Sequence, residues 1–259
     1  MIGRAATGAV SHRLWQPGRV QLTLDGPAVV APEALRAAHV ATAVGASVRL
    51  SVTLGADWGD EPAVRVGDVV LGAGFVVVAG GRVRTGRWTG IVERQRTLPD
   101  TVGPGLRLLM VGLNPSVIAA DAGFGFASPS NRYWRAAVAA GVVSATHDPP
   151  RARAVDGVGM TDLVKRATPK SAEITGTEYR AGAARIDRLA AWLQPGALCM
   201  VGLEGWRAAV DRKARPGWQS TSLGGRPTYV MPSTSGLNAS VRVDDLVAHL
   251  RRATAGPDV

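Results

Sequence analysis

The chain of 259 residues has a single cysteine, Cys199. That excludes an internal disulfide, a cysteine-ligated iron–sulfur cluster and a cysteine-rich zinc site. Cys199 lies in the apolar run Ala197-Leu198-Cys199-Met200-Val201, which reads as a strand, so the thiol is expected in the core. Histidine is sparse as well. His12, His39, His147 and His249 lack metal-ligand spacing, and none pairs with a candidate nucleophile. No metal and no organic cofactor is expected. No apolar run approaches the ~18 residues of a membrane span. Met1-Ile2-Gly3-Arg4 does not lead into the apolar core of a signal peptide, so a cytoplasmic protein is expected. Acidic residues are short in number, 20 against 30 basic ones, for a net charge of +10. Such a surplus suits a polyanionic partner. Of the 30 basic residues only three are lysine, and that arginine bias equally fits a GC-rich genome, so charge alone leaves both readings open.

Residues 1–19 are polar and irregular, with Trp15 and Pro17, and are expected to pack loosely. Val20 to Leu24 alternates like a strand, Ala31 to Ala43 looks helical, and Ser47 to Leu54 alternates again. Val64 to Leu71, Phe75 to Val78 and Arg82 to Trp88 are further strand candidates between Gly-rich turns. The stretch reads as a small β-rich domain. Its Arg82, Arg84, Arg87 and Trp88 fit either a nucleic-acid surface or a solvated strand face with one core tryptophan. Leu98 to Gly105, with two prolines and two glycines, is a linker by composition. The boundary is placed near residue 104, giving a β-rich N-terminal domain, 1–104, and a second domain, 105–259.

The second domain alternates strands and helices. Strands are expected at Leu106–Val111, Leu198–Val201 and Thr228–Met231. Ser128 and Pro129 suggest the start of a helix that stops at Gly141. Thr177 can cap a helix to Leu193 with Tyr179, Ala183, Ile186, Ala190 and Leu193 on one face, and Arg180, Arg185 and Arg188 off it. Further helices are expected at 204–213 and 243–252. The fold class is α/β, a three-layer α/β/α arrangement with a central parallel sheet and right-handed crossovers, preceded by the β-rich domain.

The centre of the second domain is the buried strand that breaks at Gly112-Leu113-Asn114-Pro115-Ser116, where Pro115 removes a backbone donor. A polar asparagine is thereby held at the carboxyl end of a buried strand, where open α/β sheets place their ligands. A loop with Phe124 and Phe126 follows, then Pro129-Ser130-Asn131-Arg132-Tyr133-Trp134. Two further blocks are Gly159-Met160-Thr161-Asp162-Leu163-Val164-Lys165-Arg166 and Met231-Pro232-Ser233-Thr234-Ser235-Gly236-Leu237-Asn238.

These four blocks, in this order, resemble the mismatch-specific uracil-DNA and thymine-DNA glycosylase family, over about residues 105–252. The family's motifs are Gly-Ile-Asn-Pro-Gly and Pro-x-Asn-[Arg/His]-Phe-Trp. The resemblance implies hydrolysis of the N-glycosidic bond of uracil in DNA, by base flipping and an asparagine-positioned water. It makes Asn114 the catalytic residue. Phe126 would stack on the flipped pyrimidine, and backbone N–H groups near Leu113 and Phe126 would bind its carbonyls. Thr161 lies beside the family's pocket, and Asn131 would brace the loop. Ser233, Thr234, Ser235, Gly236 and Asn238 would hold phosphates and face the opposite strand, with Leu237 as the wedge that fills the vacated stack. The partner implied is double-stranded DNA carrying uracil or a mismatch, met by a monomer. No lysine stands in the first block, so no Schiff-base step is expected.

Two departures stand out. Ser116 replaces the family's glycine and would narrow the pocket near the pyrimidine C5, against thymine. Ala119 stands where some members have a pocket serine. Asp121 and Asp162 are the nearest acids, and Asp121 reads foremost as a solvated loop residue. Two rival functions remain: a non-catalytic DNA-damage binding protein on the same scaffold, and a glycosylase for other deaminated bases such as hypoxanthine.

Overall fold

A computed structural model describes residues 9–16 and 19–257. The chain divides into two compact units, Met1–Pro99 and Asp100–Val259.

The first unit holds a five-stranded sheet in the order β1-β2-β3-β5-β4, formed by Ala9–Gln16, Arg19–Asp25, Ser47–Thr53, Arg87–Arg94 and Phe75–Arg84 respectively. Residues 9–16 were expected to be irregular, and they form instead an antiparallel ladder with β2. The expectation for residues 1–8 and for Pro17 lies outside the described residues. One face of the sheet buries Leu22, Leu24, Val48, Leu50, Val52, Trp88 and Val92, and two helices, α1 (Ala31–Ala41) and α2 (Pro62–Gly72), complete this unit. Trp88 is thus the core tryptophan of the blander reading. The sequence reading of Val64–Leu71 as a strand is corrected. Its valines favour β structure locally, yet Val66, Val69 and Val70 recur at helical spacing and are buried, and Pro62 stands at the first turn of α2.

The second unit is the three-layer α/β/α domain. Its sheet runs β7-β6-β8-β10-β9, with Val158–Asp162, Leu108–Gly112, Ala197–Val201 and Thr228–Met231 parallel and the short Gly217–Trp218 antiparallel at the edge. The alternation of β6 explains the layers. Leu109 and Val111 face one core with Ile186, Leu189, Leu198 and Trp206. Leu108 and Met110 face the other with Tyr133, Trp134, Cys199, Leu246 and Leu250. The first core is roofed by α6 (Gly176–Leu193) and α7 (Leu203–Ala209), the second by α4 (Tyr133–Ala139), α5 (Pro149–Ala154) and α8 (Val243–Ala255). Cys199 is fully buried, and burial pushes its thiol up.

Three local expectations are corrected. A helix absent from the sequence reading, α3 (Val117–Ala122), follows directly on the strand break, because Ser116 caps it by accepting from the Ala119 N–H. Helix α4 starts at Tyr133 rather than at Pro129, since Ser128–Asn131 closes a turn with a 2.8 Å bond from the Asn131 N–H to the Ser128 carbonyl. Helix α6 is capped by Thr175 rather than Thr177, in a reciprocal capping box with Glu178. Among the described residues no helix is long and apolar enough to cross a membrane.

Candidate active site

The chain leaves β6 for α4 on one face of the sheet, and leaves the neighbouring β7 and β8 for α6 and α7 on the other. Connections that diverge in this way open a crevice at the carboxyl end of β6. The strand ends there at Gly112, and Asn114 follows two residues on.

The Asn114 side chain is held by its amino end. Nδ2 donates to the Thr168 Oγ1 at 2.8 Å, to the Pro115 carbonyl at 3.0 Å and to the Arg166 carbonyl at 3.1 Å. Two of these partners are carbonyl oxygens, which only accept, so the amide cannot be flipped without opposing oxygens. Thr168 is itself fixed. It is buried, and its hydroxyl donates to the Lys170 carbonyl at 2.9 Å, leaving a lone pair for Asn114. The segment carrying Arg166 is pinned in turn, because the Arg166 guanidinium makes a bidentate pair with Glu178 at 2.7 and 3.1 Å. This hydrogen bonding, with the Thr175 N–H, holds the half-buried Glu178 carboxyl down at about 2. All of this leaves the Asn114 Oδ1, a hydrogen-bond acceptor, as the free end of a half-buried side chain. Thr168 went unnoticed in the sequence, because it lies 54 positions from Asn114 and only the return of the chain after β7 brings it near.

Phe126 stands across the crevice. Its ring stacks on Tyr133, centroids 4.1 Å apart and planes 26° apart. Its φ of +60 is left-handed, unusual for a bulky residue. Two contacts hold it: the stack on Tyr133, and the Trp134 Nε1 donating to the neighbouring Gly125 carbonyl at 2.9 Å. Phe124 is half-buried against the second core, with the His147 ring at 4.9 Å.

Gly112 is required by close approach. A Cβ there would lie 2.5 Å from the Asp162 Oδ1 and 3.7 Å from the Phe126 Cζ. The Asp162 carboxyl and the edge of Phe126 therefore converge over the end of β6. The side chain of Leu113 turns the other way: its Cδ1 would clash with a Cβ on Gly205, within the first core.

Thr161, expected beside the pocket as a support or a local cap, is buried, its hydroxyl donates to the Asp100 Oδ1 at 2.7 Å, and it accepts from the Arg185 Nη2 at 2.8 Å. Asp100 also meets the Lys165 Nζ at 2.7 Å and the Arg185 Nη1 at 2.9 Å, and Arg185 donates to the Asp162 carbonyl at 3.0 Å. Arg185, read as lying off the packed face of α6, is thus buried, because its charge is matched. Burial pushes the Asp100 carboxyl up, but Arg185, Lys165 and the hydrogen bonds outweigh it and hold it below the usual range. The Ser116 hydroxyl accepts from the Ala119 N–H of its own helix, as noted.

The loop after β10 carries the last block. Leu237 is 96% exposed. It caps a loop stapled from within. The Asn238 Nδ2 donates to the Ser233 carbonyl at 3.1 Å, and the Leu237 N–H to the Ser235 Oγ at 3.3 Å. Arg132 reaches in from α4's start and donates to the carbonyls of Ser235 at 2.7 Å, Asn238 at 2.9 Å and Val241. Thr234 is buried. Gly236 presses on the Ser128–Asn131 turn, where a Cβ would lie 2.5 Å from that of Ser130. Asn131 accepts from the Tyr133 N–H at 2.9 Å, the bracing role expected of it. Among the described residues no three His, Cys, Asp or Glu side chains come together to hold a metal ion.

The family model described as the Uracil DNA glycosylase superfamily matches residues 99–252. The solution NMR structure of a provisionally assigned uracil DNA glycosylase from Methanosarcina acetivorans is similar at 17% identity and a TM-score of 0.40, covering 60% of this chain and 96% of that one. The match of the family model spans more than half of the chain and takes in the asparagine at the strand end, the aromatic loop and the exposed leucine, and on it the chain belongs to the uracil DNA glycosylase superfamily, enzymes that act on DNA.

Proposed function

We propose that this protein is a monofunctional glycosylase of the mismatch-specific, thymine-DNA-glycosylase-like branch, releasing uracil from double-stranded DNA and preferring uracil opposite guanine. The observation that supports it most is the fixed Asn114 amide, whose free Oδ1 accepts a hydrogen bond from a water and aims the water's oxygen at C1′. The water adds to C1′, the C1′–N1 bond breaks with its electron pair on the base, and the water's proton passes to solvent. Asn114 is a positioner rather than a strong base, so the leaving group carries most of the driving force. Turnover is slow and favours bases that leave as stable anions. Phe126 stacks on the extruded pyrimidine with its free face, backed by Tyr133. Leu237 enters the gap in the duplex, and the loop of Ser233 to Asn238 grips the flanking phosphates. The enzyme works as a monomer in the cytoplasm without a cofactor.

Asn114→Ala tests the reading. Single-turnover release of uracil from a G·U duplex should fall by about 10²–10³-fold, with duplex binding retained. If the wild type releases no base while it binds the duplex, the reading fails and a damage-binding protein replaces it. Duplexes carrying thymine, hypoxanthine, xanthine and ethenocytosine define the base range in the same assay.

A further inference from the structure

The first unit lies outside the family match but for its last residue, Pro99, and it segregates its charges between its two layers. The acids sit with the helices: Glu33 on α1, Asp57, Asp60 and Glu61 on the way to α2, and Asp68 on α2, against only Arg36 and Arg65. The strands carry the reverse. β1 to β5 hold seven arginines, with Asp25 and Glu93 the only acids. Alternation along the strands decides which face these take. Leu50, Val52, Trp88 and Val92 are buried in the core, so their neighbours Arg49, Arg87 and Thr89 stand on the open face. The β4–β5 register adds Arg82 opposite Thr89 and Arg84 opposite Arg87. Arg49, Arg82 and Arg84 are exposed. The strand acids do not match this charge. Asp25 is engaged by Arg87 at 3.2 Å and by the Thr53 hydroxyl, and Glu93 lies near the far end of β5, accepting from the Gln95 Nε2 at 3.0 Å. Among the described residues Arg82 and Arg84 take part in no ion pair. Like charges directly opposite, as Arg84 and Arg87 are, work against the sheet, and a bound anion removes that cost.

We propose that this open sheet face is a second DNA-contacting surface, on which Arg49, Arg82, Arg84 and Arg87 hold backbone phosphates of double-stranded DNA without reading its sequence. Charge complementarity selects a polyanion. The superfamily's enzymes act on DNA, and the face belongs to the same chain as such a domain, so the polyanion at hand is the DNA that the second unit engages. Guanidinium forks suit phosphate oxygens, and phosphate contacts carry no sequence information. Trp88 is buried, so the arginines lack its ring as a platform for an unpaired base, which favours a duplex over a single strand. Bulges at Val77–Ala79 and Gly80–Arg82 interrupt the edge of β4, so it presents no regular ladder to a protein strand. The surface gives the whole chain a second point of attachment and raises its affinity for any duplex, damaged or not.

The test is binding of the full chain to a fluorescently labelled, undamaged duplex, followed by anisotropy at roughly 50 to 200 mM salt. Arg82→Gln/Arg84→Gln should weaken binding about tenfold near 0.1 M salt and flatten the dependence of log K on log salt by about 1.8, two phosphate contacts at about 0.9 each. Both side chains are exposed beside the Thr85–Gly86 turn, so the fold should tolerate the change, as circular dichroism would check. Arg82→Lys/Arg84→Lys keeps the charge and should keep the wild-type slope. Arg36→Gln/Arg65→Gln removes the same charge from the helical layer and should leave affinity and slope as in the wild type. An unchanged slope in Arg82→Gln/Arg84→Gln, an equal loss in the helical-layer variant, or a loss seen only with single-stranded DNA would overturn the proposal. None of these measurements depends on base release. A chain that binds duplex in this way and never releases uracil would lose the glycosylase reading and keep this surface.

Discussion

The two sheets of this chain have the same number of strands and opposite uses of their faces and ends. The second unit's sheet is mostly parallel and covered on both faces, so its strands are mostly apolar, with Asp162 and Asn114 at or just beyond carboxyl ends. The first unit's sheet is mixed, and its outer face carries Arg49 and Thr89 exposed beside Thr53, Asp25 and Arg87. Its edge strand β4 shows Val78 and Val83 to solvent, interrupted by bulges at Val77–Ala79 and Gly80–Arg82. A covered parallel sheet leaves one place for polar chemistry and concentrates it there. A half-open sheet spreads its polar groups over a face, where water weakens each of them.

The largest test of that contrast is the buried charge cluster. Asp100→Ala strands Lys165 and Arg185 in the interior and should cost about 3–5 kcal/mol of folding stability, read by denaturant unfolding of the second unit. The pH sign follows from the same group. Its carboxyl is held below the usual range in the folded state, so its stabilisation is present above the unfolded value and disappears as pH falls through the folded one. The variant should therefore lose part of the wild type's acid sensitivity below about pH 4. Asp162 has the opposite sign, its stabilisation being lost as pH rises from the ordinary carboxyl range through about 6.

The exposed apolar residues give a smaller test. Leu237→Ala should slow uracil release about tenfold, the loss of one apolar contact of about 1–2 kcal/mol, in the single-turnover assay. Val78→Ala, an exposed valine of the first unit, should leave release unchanged. Equal effects from the two would erase the distinction between a wedge and a bare edge. The smallest effect is expected from Asp25→Ala, which breaks a surface pair with Arg87 at 3.2 Å, both side chains more than 40% exposed. Thermal or denaturant unfolding should register about 1 kcal/mol or less.

What could be read in the chain followed the same physics. A buried strand that stops at Gly-Leu-Asn-Pro placed Asn114 at a sheet end because the turn chemistry is local. The later strands and α8 were legible from their apolar pattern. Leu237 stood out because a leucine among serines and glycines has no core to join. Arg185 was misjudged because charge argues for solvent unless its partners are known, and Asp100 is 85 positions away. The helix α2 was misjudged because a valine-rich stretch satisfies strand and helix periods alike over a few residues.

By itself the amino-acid sequence determined the alternation of strands and helices in the second unit and the asparagine at a strand end, since these depend on neighbours a few residues apart, and its single cysteine excluded an internal disulfide. Tertiary structure alone decided which end of the Asn114 amide is free and which buried charges are neutralised near it. Hydrogen-bond direction and burial are properties of atoms brought together from distant segments, and no local pattern encodes them.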